Sequence, residues 1–171
     1  MRKMATVMEA ELPSQLDDVR ALMTAFVAWH RERHVEDIAL IERYFDAAAF
    51  SRELEDLPGY YAPPTGSLLI AYSDDQKAGC VALRDLGDGI CEMKRMFVRP
   101  EFRGRGVGLA LAARILENAR TLGYCCMRLD TSHRQTEAMR LYRRIGFSEI
   151  APYYDLTDDM RNWLVFFEKR L

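Results

Sequence analysis

The spacing of apolar residues changes along the chain, and each change predicts a different element. Residues 5–10 read as a short strand. From residue 13 to residue 34, "PSQLDDVRALMTAFVAWHRERH", Leu16, Val19, Met23, Phe26 and Val27 recur at three- and four-residue intervals. That interval places them on one face of a helix, with Ser14 ahead of them as the candidate N-cap. Residues 37–54 carry a less regular helical pattern, which predicts one helix or two short ones, ending before "LPGYYAPPTG", whose prolines and glycines predict a loop.

At Ser67 the period shortens. "SLLIAYS", "KAGCVALRDL" and "GICEMKRMFV" are β-rich runs separated by the turn residues "DDQ" and "GDG", and they predict an antiparallel meander. Helical spacing then returns, with Val107, Leu111 and Ile115 on one face, Arg114, Glu117 and Arg120 on the other, and Gly123 as the stop. "YCCMRLDTS" predicts the next strand. Ala138, Leu141, Tyr142 and Ile145 form the stripe of another helix, ended by Gly146. Strands at 147–151 and 163–169, joined by the loop "PYYDLTDDMRN", close the pattern. The sum is an α+β fold: a mixed, largely antiparallel central sheet, flanking helices, and a strand–helix–strand unit with a right-handed crossover.

A chain of 171 residues suits a single domain over 1–171. The net charge of -2 gives no general attraction to nucleic acid, and no apolar window approaches a membrane span or signal peptide, so the cytoplasm is the expected location. Cys80, Cys91, Cys125 and Cys126 lie in apolar runs without metal-ligand spacing and read as buried reduced thiols. His30, His34 and His133 are scattered, so no metal site is expected.

The chemistry concentrates in "VRPEFRGRGVGLAL", Val98 to Leu111. Here Gly104, Gly106 and Gly108 alternate with Arg105 and Val107, behind Arg103, between a strand and a helix. Unpaired N–H groups and the helix dipole at such a place make an anion site, and bare glycines let a phosphate approach. A P-loop requires GxxxxGK[ST], which is absent. A Rossmann fingerprint requires GxGxxG before an alternating parallel fold, whereas this stretch is GxGxG and follows a meander.

"RGRGVG" matches R/Q-x-x-G-x-G/A, and "EAMRLYRRIGF" downstream is similar to A-x-x-L-Y-x-x-x-G-F. Together they make the chain resemble the GNAT superfamily of acetyl-coenzyme A dependent N-acetyltransferases, as a small single-domain member of bacterial type. The resemblance implies the GNAT fold, with acetyl-CoA as co-substrate and no metal. It implies that the coenzyme A pyrophosphate is held by Arg103, Gly104, Arg105, Gly106, Val107, Gly108 and Leu109. The pantetheine arm then pairs with a strand end at Met96, Phe97 and Val98, splayed by a bulge. Tyr142 takes the position of a proton donor to the departing thiolate; the structural alternative is a core residue on the apolar stripe of its helix. Gln135 stands where many relatives carry a cofactor-binding asparagine.

Glu92, eleven residues before Arg103, matches a position used as general base in some members. It shares strand parity with Lys94, Met96 and Val98; the structural alternative is a carboxylate paired with Lys94 or Arg95. The implied acceptor is a primary amine of a small molecule, attacked in a ternary complex and not through an acetylated cysteine. Trp29, His30, His34, Tyr60, Tyr61, Tyr153 and Tyr154, with Asp155, Asp158 and Asp159, would wall a site for a cationic or amino-acid-like amine. Alternatives are a protein lysine or N-terminal amine as acceptor, or a non-catalytic acyl-CoA sensor. Neither a nucleic acid nor a membrane is expected as a partner, and the family often forms homodimers.

Overall fold

The structure, a computed structural model, describes residues 5–171. Strands β1 (Thr6–Glu9), β2 (Ser67–Ser73), β3 (Gln76–Gly87), β4 (Ile90–Val98), β5 (Cys126–Ser132), β6 (Ser148–Ile150) and β7 (Leu164–Arg170) form one sheet in the order β1-β2-β3-β4-β5-β7-β6. Helices α1 (Leu16–Arg33), α2 (Ile38–Tyr44), α3 (Ala47–Glu55) and α4 (Leu57–Tyr61) precede the meander. Helix α5 (Val107–Thr121) links β4 to β5, α6 (Thr136–Arg144) follows β5, and α7 (Asp158–Trp163) precedes β7. The β4–β5 pair is parallel and every other neighbouring pair is antiparallel, which is the mixed sheet that the pattern predicts.

The alternation of each strand divides two cores. On one face Leu69, Val81, Leu83, Met93, Met127 and Leu129 meet Val107, Leu111 and Ile115 of α5. On the other, Leu68, Ile70, Cys80, Ala82 and Phe97 meet Val19, Leu22 and Met23 of α1. Burial of each such side chain stabilises the fold by about 1.5–3 kcal/mol, so the face a residue occupies is strongly determined.

Several boundaries differ from the sequence expectation. Ser14 does not cap α1; its hydroxyl donates to the Glu11 carbonyl, and Gln15 occupies the cap position. Residues 37–54 resolve into two helices, α2 and α3, with Asp46 accepting from Ala49 N at 2.8 Å. The expected loop from Leu57 begins as α4, because Asp56 caps Gly59 N at 3.0 Å and Pro58 suits a first turn. In the last loop, α7 forms by burying Met160 and Trp163 against Val27, Ile41 and Phe45, with the Trp163 indole donating to Asp37 at 3.1 Å. Cys80, Cys91 and Cys126 are buried as expected, but Cys125, just ahead of β5, is exposed.

One irregularity creates the working part of the molecule. Across β3 and β4, Ala82 faces Lys94 and Cys80 faces Phe97, so Arg95 and Met96 together oppose Val81. This is a β-bulge, and Arg95 carries it in the left-handed region at φ 55°. Parity therefore inverts: Lys94 and Phe97 share one face, while Met96 and Val98 pack on the opposite core, which corrects the simple alternation from Glu92. Beyond Glu92 and Arg128, β4 and β5 no longer pair, and a cleft opens between them.

Candidate active site

The cleft holds about 480 Å³ and is lined on its outer half by Arg103, Gly104, Gly106, Val107, Gly108 and Leu109. Gly104 and Gly106 sit at φ 71° and 80°, a backbone that side chains other than glycine rarely adopt. Gly106 occupies the N-cap of α5 and supplies no side-chain cap. The first bond of the helix runs from Ala110 N to Gly106 O at 3.0 Å, so the N–H groups of Val107, Gly108 and Leu109 have no acceptor within it. At Gly108 a Cβ would lie against Leu141 and Val98 at 3.6 and 3.7 Å, in the mouth of the cleft. A row of unpaired amides at the positive end of a helix, beside open space, fits a diphosphate.

The arginines of the loop part company. Arg103 donates from Nε to the Val98 carbonyl at 3.0 Å and stacks on Trp29 at 4.1 Å, across the cleft wall. Arg105 is the loop member that does not line the cleft; it pairs with Asp74 at 3.1 Å. Met96, Phe97 and Val98 line the inner half, together with Gln135, Leu141 and Tyr142.

Tyr142 is buried on α6 and reaches a second, narrower cavity of about 60 Å³ behind the cleft. Burial, then the charge of Asp130, pushes its phenol above the usual tyrosine range, so the hydroxyl keeps its proton at neutral pH. Tyr142 thus lines both cavities. Gln135 lines both as well, but its amide nitrogen faces His30 Nδ1 at 3.1 Å and His34 Nε2 at 3.3 Å. Burial, reinforced by His34, Arg103 and Arg95, takes His30 down to about 3, and burial followed by Arg33 lowers His34. Both rings are therefore neutral and able to accept from the amide. The sequence showed these histidines as scattered; the fold brings two of them together over Gln135, and the linear spacing of 105 and 101 residues hid that.

Glu92 does not share a cavity with Tyr142. It lies buried at the floor of a third cavity, about 390 Å³, with Arg84, Leu86, Lys94, Arg128, Asp130, Tyr153 and Tyr154. Arg84 donates to its Oε1 at 2.7 Å, and Tyr153 donates to its Oε2 at 2.5 Å. The expected structural partner Arg95 is elsewhere: it makes a two-pronged pair with Glu53, Nε to Oε1 at 2.9 Å and the terminal nitrogen to Oε2 at 2.6 Å. Phe45 and Phe50 flank that guanidinium at 5.1 and 5.4 Å, and Tyr61 donates to Glu53 at 2.6 Å. Of the residues expected to wall an acceptor site, Tyr153 and Tyr154 line the cavity of Glu92, Trp29 lines the large cleft, Tyr61 serves Glu53, and Tyr60 is exposed. Asp155, Asp158 and Asp159 line none of the three cavities, and Asp159 pairs with Arg43.

Three groups escaped the sequence reading. Asp130 accepts from the hydroxyls of Tyr44 and Tyr154, the latter at 2.6 Å. Ser132 places an Oγ without a hydrogen-bond partner beside the narrow cavity, the one buried side-chain polar atom in this state among the described residues. Lys94 lies between the two inner cavities. The available signal was the parity of Arg128 and Asp130 against Met127 and Leu129 within β5.

A model of the acetyltransferase (GNAT) family matches residues 23–147. An uncharacterized N-acetyltransferase of Schizosaccharomyces pombe is 34% identical over 151 residues, covering 87% of this chain and 86% of that protein. N-acetylaspartate synthetase of Danio rerio is 33% identical over 120 residues, covering 69% of this chain and 42% of its own length. The crystal structure of PaiA N-acetyltransferase from Thermoplasma acidophilum in complex with coenzyme A superposes with a TM-score of 0.71 at 14% identity, over 99% of this chain and all of that one, a likeness of fold alone. Among the described residues no helix is long and apolar enough to cross a membrane.

Proposed function

As this chain belongs to the GNAT family and is an acyltransferase, we propose that it moves an acetyl group from acetyl-coenzyme A to a primary amine of a small molecule. The observation that carries the reading is the continuity of one cleft from the unpaired amides of Val107, Gly108 and Leu109, past Met96–Val98, to Tyr142. Those amides with Gly104 and Gly106 hold the diphosphate in this reading, and the parted edge of β4 holds the pantetheine arm. Acetyl-CoA supplies the thioester carbonyl at which the new C–N bond forms as the C–S bond breaks.

The chain's own groups then account for the protons. An ammonium acceptor first loses one proton to solvent. During transfer the amine gives a second, relayed by water, to Glu92, the carboxylate fixed by Arg84 and Tyr153 in the acceptor cavity. Tyr142 gives its hydroxyl proton to the departing sulfur, and exchange with solvent restores both groups. No cysteine is needed as a carrier: burial pushes Cys80 and Cys91 up to about 12 and Cys126 to about 11, so these thiols stay protonated at neutral pH. The acceptor cavity, about 390 Å³ and lined by Tyr153 and Tyr154, has room for a small acceptor. A panel of primary amines assayed for release of the coenzyme A thiol tests this reading; turnover of a small amine is expected, and a protein that neither binds acetyl-CoA nor releases thiol overturns it.

A further inference from the structure

The charges around the acceptor cavity pair off until two are left. Arg84 is matched by Glu92 at 2.7 Å, Arg128 by Glu168 at 2.7 Å, and Arg95 by Glu53 at 2.6 Å. Lys94 and Asp130 remain. The Lys94 side chain is only 13% exposed, yet its nearest carboxylate oxygen, Glu92 Oε1, is 3.8 Å away and already held by Arg84. Its other close neighbour is the ring of Tyr44, 5.6 Å from Nζ. No hydrogen-bond acceptor meets this ammonium among the described residues.

Asp130 is the complementary case. Its two oxygens accept from the neutral hydroxyls of Tyr44 and Tyr154, and no described cation lies within 4.0 Å of it. A half-buried carboxylate held by phenols alone keeps its charge uncompensated, and a nearly buried ammonium without an acceptor is costly. The two do not compensate each other within 4.0 Å, although both touch Tyr44. They are also the two residues that line both the narrow inner cavity and the acceptor cavity. The leftover charges thus stand where the two cavities share a wall.

Resting on the acetyl-transfer reading, we infer that the acceptor is a zwitterion, an amino acid with a free carboxylate, whose carboxylate meets Lys94 and whose amino group meets Asp130. One molecule of that kind satisfies both groups at once. A plain cationic amine satisfies Asp130 and leaves Lys94 without a partner. An acceptor amine carried on a peptide, whose neighbouring carboxyl is an amide, leaves Lys94 in the same position.

The test compares each common amino acid with its carboxamide and with its decarboxylated amine as acceptors, by coenzyme A thiol release. For the amino acid used best, kcat/KM should exceed that of both analogues by about 30-fold or more, as expected when a buried charge loses its partner. Lys94→Met should narrow this ratio by about tenfold or more, while Lys94→Arg retains most of it. Because the readout is a ratio within one protein, a general loss of folded enzyme does not move it. Asp130→Asn should depress the acid and its analogues alike, since all three carry the amino group. Analogues that are acetylated as well as the amino acid, or a ratio unmoved by Lys94→Met, overturn the inference and leave acetyl transfer standing. Release of no thiol with any amine overturns acetyl transfer and the inference with it.

Discussion

Replacing Glu53 with Gln tests whether the bulge that opens the cleft is held from behind. Arg95 and Glu53 are 9% and 7% exposed, and the guanidinium lies between Phe45 and Phe50 with no second carboxylate in contact. Removing one partner of such a pair leaves a buried charge uncompensated, which typically costs about 3–5 kcal/mol. For a chain of this length that corresponds to a fall in melting temperature of roughly 6–20 °C. The same variant should weaken acetyl-CoA binding, because Arg95 is the bulge residue and Met96–Val98 follow it directly.

The pH dependence has a definite sign. Burial by itself raises the Glu53 carboxyl, but the hydrogen bonds and charge of Arg95 outweigh it and hold the group below the usual carboxylate range. A carboxyl depressed in the folded state contributes stability that is fully present above its unfolded value and lost as pH falls toward its folded value. The gap between parent and Glu53→Gln should therefore be wide at pH 7 and shrink through the acid range below about pH 4. Thermal denaturation followed by circular dichroism measures both. A variant within about 0.5 kcal/mol of the parent at pH 7, or a gap that widens on acidification, refutes the argument. A companion pair isolates the strain: Arg95→Gly and Arg95→Ala lose the same ion pair, but at φ 55° glycine should be the more stable by about 1–2 kcal/mol.

Three further outcomes follow from the proposed reading. Tyr142→Phe should lower kcat by about 10²-fold or more with little change in acetyl-CoA affinity; equal turnover would return Tyr142 to a packing role. Gly106→Asp should reduce coenzyme A affinity in calorimetry by about tenfold or more, by bringing a negative charge to the unpaired amides; unchanged affinity would remove the diphosphate from that loop. Glu92→Gln should lower kcat by about 10²-fold or more, and turnover equal to the parent's would rule Glu92 out as the base.

What the sequence revealed and what it hid divide by range. The glycine loop was legible because left-handed φ at Gly104 and Gly106 is a local demand that few other residues meet. The meander, α5 and the parallel β4–β5 pair were legible because two core faces impose their own periods on the chain. Helices α4 and α7 were not: they are five and six residues long, too short for a period to appear, and depend on Asp56 in one case and on burial of Trp163 in the other. The partner of Arg95 was hidden because Glu53 is 42 residues away, while parity suggested neighbours along the strand. Asp130 and Lys94 read as ordinary strand polars until the parting of β4 and β5 placed them on the wall shared by two cavities. Ser14, a good capping residue by type, lost its position to the geometry of the turn before α1.

The extra residue at Arg95 also means that strand β4 is read in two frames. Ahead of it, Glu92 and Lys94 line the cavity of Tyr153 and Tyr154; behind it, Phe97 packs with α1 while Met96 and Val98 pack on the α5 core. Deleting Arg95 alone would merge the frames and turn one half of the strand over. In this strand the count of residues therefore decides which side chains lie inside and which outside, whatever their types.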